Sequence, residues 1–160
     1  MEAQPLKPRV GLLALTLELY ETLAPQLRVG RETWLRDALL PALEPIADVR
    51  FHQAVYRRED IDAAVAELER DGADALLVIC LTYSPSQLAL PALSRTRLPI
   101  VVWNTQELYA VDETFDGSMM TANHGVHGTQ DLCNVLLRSG VRFDYVTSHL
   151  NNAGALDGLE

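Results

Sequence analysis

The residues with the most concentrated chemical potential are Asn123-His124-Gly125-Val126-His127-Gly128. Two imidazoles three positions apart could share a metal ion on a helix, or hydrogen-bond a neutral ligand by donating from one ring nitrogen and accepting at the other. No carboxylate or third histidine stands at metal-site spacing within this segment, so a metal held by these residues alone is not expected. Histidines that merely cap a loop fit the same spacing. Gly125 and Gly128 allow tight backbone geometry, and the helix that follows offers free amides to an anionic or hydroxyl-bearing group. His52 ends a weak strand and reads as structural.

Further polar groups fall where apolar runs end: Thr16 and Glu18, Thr82-Tyr83-Ser84, Asn104-Thr105-Gln106, then His149 and Asn151. These are mostly uncharged hydrogen-bonding groups, which suit a sugar or another polyhydroxylated ligand better than a phosphate; they are equally good helix caps and turn formers. Three cofactor chemistries fail on a required residue. No G-x-G-x-x-G follows the first apolar run, which excludes the usual dinucleotide loop. The bulky, acidic Leu17-Glu18-Leu19-Tyr20 does not suit a flavin phosphate loop, and Ile79-Cys80-Leu81 lacks the aspartate of a phospho-receiver.

The elements that must position these groups alternate strand and helix. Strands are expected at Val10 to Leu15, Asp48 to Gln53, Ala75 to Leu81, Pro99 to Trp103 and Phe143 to Ser148. Ala75 to Leu81 is apolar throughout, as in a strand covered on both faces. Helical periodicity runs from Glu32 to Ala47, with a kink expected at Pro41, and through Ile61, Ala64, Val65 and Leu68 after an Asp60 cap. Ser84-Pro85 opens a helix to about Leu93, and Gly128 to Ser139 forms another that buries Leu132, Val135 and Leu136. Thr16 to Tyr20 reads as a turn, whereas Leu108 to Ala122 is too polar for a strand and too irregular for a helix. The whole predicts an α/β, doubly wound, parallel five-stranded sheet of flavodoxin-like (Rossmann-like) order 2-1-3-4-5. Only twelve residues follow the last strand, where a closing helix is usual, so the edge is bare or another domain or subunit covers it.

The chain has 160 residues, 48% hydrophobic and 22% charged, which is ordinary globular composition for one domain. Residues 1–150 are assigned to that domain and 151–160 to a flexible tail or cloning remnant. Thirteen Lys and Arg against 22 Asp and Glu leave a net charge of −9, contrary to what a nucleic-acid partner requires. Cys80 and Cys133 lie 53 positions apart in apolar runs and read as reduced core thiols. The polar start Met1 to Pro8 has no signal-peptide pattern and no apolar run has membrane length, so a cytoplasmic protein without membrane contact is expected.

Thr82-Tyr83-Ser84-Pro85, Asn104-Thr105-Gln106, Asn123 with His127-Gly128, and Val146-Thr147-Ser148-His149 occur in the order and approximate spacing of the N-terminal part of the L-arabinose isomerases and their L-fucose isomerase-like relatives. Leu19-Tyr20 resembles that family's first strand-to-helix loop. The resemblance implies the substrate-lid and oligomerisation domain of a metal-dependent aldose–ketose isomerase, with the sugar and neighbouring subunits, commonly of a hexamer, as partners. It implies His127, Leu19, Tyr20, Asn123 and Gln106 as substrate-binding residues. The family's divalent cation, usually manganese, and its acid/base glutamates belong to later segments of a chain about three times as long. No catalytic or metal-binding residue is therefore expected here, and the chain alone is expected to be inactive. The sequence departs from the family pattern at Leu17 and His124, where glutamine is usual, which leaves the sugar open. The alternative is a stand-alone, non-catalytic sugar-binding or assembly module of the same fold.

Overall fold

A computed structural model describes residues 7–159. The strands are β1 (Arg9–Leu15), β2 (Asp48–Arg50), β3 (Ala75–Cys80), β4 (Ile100–Asn104) and β5 (Asp144–Thr147). They form one parallel sheet in the order β2-β1-β3-β4-β5, the flavodoxin-like α/β arrangement expected from the sequence. β1, β3 and β4 are its interior; β1 and β3 pair from Val10↔Ala75 to Leu15↔Cys80, and the near-continuous burial of these two is the reason for their apolar character.

Each sheet face carries its own apolar layer. Leu13, Leu15, Val78 and Val102 pack with Ile61, Val65 and Leu68 of α4 (Arg58–Arg70), Ala92 and Leu93 of α5 (Ser86–Arg95), and Leu132 and Leu136 of α7 (Gly125–Arg138). On the other face Leu12, Ala14, Leu77, Ile79 and Trp103 meet Leu35, Leu39 and Leu43. Those three leucines belong to a helical run of α1 (Glu18–Leu23), α2 (Gln26–Trp34), a π turn at Leu35–Leu39 and α3 (Leu40–Leu43). Residues 151–159 have no apolar periodicity, yet their successive turns place Leu156 and Leu159 against this second layer, with Ala155 buried.

Several boundaries differ from the sequence reading for identifiable reasons. Helix α1 replaces the turn expected at Thr16 to Tyr20. Near Pro41 the helix widens: the Leu40 amide bonds the Leu35 carbonyl five residues back, and this π turn carries the chain into the proline. β2 stops at Arg50, although Leu15 and Val55 form a further isolated bridge. Asp60 is not a cap: α4 starts at Arg58, which puts Glu59 and Asp60 in the first turn beside the positive helix end. Ser84 is not a cap either. Helix α5 starts at Ser86, whose amide donates to Asp131 Oδ2 on α7 at 3.0 Å, so a distant carboxylate supplies the cap. The unassigned stretch contains α6 (Gly117–Ala122), capped by Asp116, whose side chain accepts from the Ser118 and Met119 amides.

Candidate functional site

Parallel sheets of this order collect ligands at the carboxyl ends of their strands. There the loop after β4 and the segment 108–127 enclose a pocket of about 290 Å³. Gln106, Asn123, His124 and His127 give it polar groups, while Tyr109, Val111, Phe115 and Met120 form an apolar wall, and no charged side chain lines it. Such a surface offers hydrogen bonds on one side and a C–H-compatible face on the other. That combination fits a neutral polyhydroxylated molecule.

α7 positions the histidines by pressing its first turn onto the end of β3. It begins at Gly125 rather than the expected Gly128, and both glycines are buried within it. A Cβ on Gly125 would lie 2.0 Å from the Cys80 carbonyl oxygen, and one on Gly128 would lie 2.9 Å from the Ser84 nitrogen. The glycines therefore serve close approach of helix to strand. Neither has positive φ. Cys80 lies in this contact, free and fully buried; burial pushes its thiol up to about 12, so it stays protonated. Cys133 is also free, and burial raises its thiol to about 11.

His124 is the hub of the site. Its Nδ1 stands 3.4 Å from the Tyr20 hydroxyl, its ring lies 4.6 Å from that of His127 in edge-to-face contact, and the Tyr83 ring is 5.7 Å away. Burial pushes the Tyr20 hydroxyl up, so it stays protonated beside the His124 ring. Burial, and then the neighbouring His127, hold His124 below the ordinary histidine range. The folded-state value is depressed, so the associated stability is complete above about pH 6.5 and declines as pH falls toward the lowered value. A stability profile from pH 7.5 to 4.5 is expected to show this decline reduced in His124→Gln; an unchanged profile would contradict the assignment.

The other implied substrate residues separate into distinct roles. His127 is exposed on the pocket rim, and Gln106 lines the same pocket, its buried Oε1 without a protein hydrogen-bond partner. Asn123 lines the pocket but uses its amide on the backbone: Oδ1 accepts from Leu108 N at 3.0 Å, and Nδ2 donates to Met119 O at 2.8 Å. It holds the wall in place. Leu19 is 55% exposed on α1 and lies outside the pocket lining. His149, at the end of β5, accepts from the Asn151 amide at Nδ1 and therefore donates from Nε2 to the Glu107 carbonyl at 3.1 Å, tying two loops together. Sequence reasoning missed Tyr83 as a ring neighbour and the whole apolar wall. The only local sign was the Asp116-Gly117-Ser118 cap.

Among the described residues no three His, Cys, Asp or Glu side chains form a group able to hold a metal ion. The His124–His127 pair does not fit a manganese ion, which prefers an oxygen-rich, six-coordinate shell. No protein-family model matches this sequence, and no curated protein matches it. No helix among the described residues is long and apolar enough to cross a membrane.

Proposed function

We propose that this chain is the substrate-lid and docking domain of an aldose–ketose isomerase of the L-arabinose/L-fucose type. It supplies a neutral hydrogen-bonding wall, while other polypeptide segments supply the divalent metal, manganese by preference, and the acid/base carboxylates. The observation that carries this reading is the convergence of Gln106, Asn123, His124 and His127 on one pocket without a charged side chain, with the Tyr20 hydroxyl 3.4 Å behind His124 and outside the pocket lining. Such a wall can orient hydroxyl groups. It does not stabilise the charge that develops on enediol oxygens, which needs a cation or a matched acid and base.

The test is to incubate this chain with L-arabinose or L-fucose and manganese, assay ketose formation, and measure its mass in solution. An inactive oligomer with no measurable sugar affinity supports the lid-and-docking reading; sugar conversion by the chain alone overturns it. Sugar binding by a monomer would favour the alternative, a stand-alone sugar-binding module. In the assembled enzyme His127→Ala is expected to lower turnover about tenfold, the size of one lost neutral hydrogen bond, without change of fold.

A further inference from the structure

A large cavity lies at the opposite end of the sheet from the histidine pocket. It is an open groove of about 1060 Å³ between the ends of α5 and α7, where the chain enters β4 and β5. Leu98, Leu137, Val141 and Phe143 supply apolar surface, and Arg97 and Arg142 stand beside it. Leu137 is 72% exposed on its rim. Neither arginine has an ion pair or side-chain hydrogen bond among the described residues, a state they share with Arg70 and Arg138, whereas Arg9, Arg28, Arg31, Arg50, Arg57 and Arg95 are ion-paired. Asp144 also lines the groove, so its charged lining remains positive by one.

At the carboxyl end of the sheet the segment 107–116 has the complementary pattern. Tyr109 and Val111 project with 61% and 72% exposure, followed directly by Asp112 and Glu113. Two apolar knobs with two adjacent carboxylates match an apolar trough with two guanidinium groups, and arginine forks bind carboxylates in a bidentate geometry. The surfaces occupy opposite ends of the molecule. One copy cannot satisfy itself, and pairing between copies is heterologous, head to tail.

We propose that the occupant of the arginine groove is the 107–116 loop of a second copy of this chain. Tyr109 and Val111 enter the apolar trough, and Asp112 and Glu113 meet Arg97 and Arg142. The same loop walls the histidine pocket through Tyr109, Val111 and Phe115, so docking also steadies that wall and brings the neighbouring copy's amino edge beside it. The inference rests on the docking part of the function proposed above. It requires nothing of the sugar chemistry, so the two can fail separately.

Sedimentation of the full chain over a concentration series, at low and high salt, tests it. Association is expected to weaken at least about tenfold with salt, because exposed ion pairs are screened. Arg97→Glu with Arg142→Glu in one chain should weaken it by at least as much, as should Asp112→Asn with Glu113→Arg in another; asparagine keeps the acceptor that Thr114 uses. Mixing the two variants should restore association, because the wild-type loop of one meets the wild-type groove of the other. A monomer at every concentration overturns the proposal. So does association that survives both sets of changes, or a mixture that stays dissociated while each variant retains wild-type circular dichroism.

Discussion

Gly125→Ala is expected to destabilise the protein by about 3 kcal/mol or more, despite placing the best helix former in a helix. Propensity alone predicts a gain of about 1 kcal/mol, so the sign of the effect is diagnostic. The new methyl group would meet the Cys80 carbonyl oxygen at 2.0 Å; the backbone fixes the position of the methyl and its partner is a backbone atom, so no rotamer change relieves the clash. Either α7 lifts from β3 or the strand end shifts, and both responses displace His124 and His127. Gly117→Ala is the control, because a Cβ there meets nothing within 4 Å. Urea unfolding followed by circular dichroism reads both. A Gly125→Ala protein as stable as the parent would mean that α7 does not lie against β3 as described.

Trp103→Ala should have a comparable effect, about 3 to 5 kcal/mol, the usual cost of emptying a buried aromatic site. Trp103 is fully buried in the second apolar layer, with Val146, Leu150 and Leu156 packed against the same layer. Its indole Nε1 donates to Ser148 Oγ at 2.8 Å, which fastens β4 to the loop that presents His149. Trp103→Phe keeps most of the volume and removes only that bond, so a loss of about 1 kcal/mol is expected. Hydrogen exchange should quicken at the Ser148 and Asn151 amides in both variants. Protection equal to the parent's would show that the tryptophan does not hold this loop.

Legibility from sequence followed the range of the forces involved. The unbroken apolar run Ala75 to Leu81 identified an interior strand because a strand covered on both faces has no solvent side to make polar. The Ile61, Ala64, Val65, Leu68 stripe was equally direct, and Ile61, Val65 and Leu68 are buried. Right-handed crossovers then limited the strand orders to few, and the observed one is among them. What remained hidden depends on partners far along the chain. The cap of α5 comes from Asp131, 45 residues away, and Asn123 is committed to the backbone by the position of Leu108. The glycines of α7 were legible as tight geometry, but their purpose, contact with the Cys80 carbonyl, needed the approach of α7 to β3.

By itself, therefore, the order of residues determined the layered parallel sheet, its two buried faces and the end at which polar groups collect. Periodicity and strand-end chemistry are local properties of a chain. Only the tertiary structure decided that Tyr20 meets His124, that segment 108–120 walls the pocket shared with His124 and His127, and that an arginine groove opens at the far end of the sheet. Those arrangements depend on distances between elements remote in sequence, and packing sets such distances.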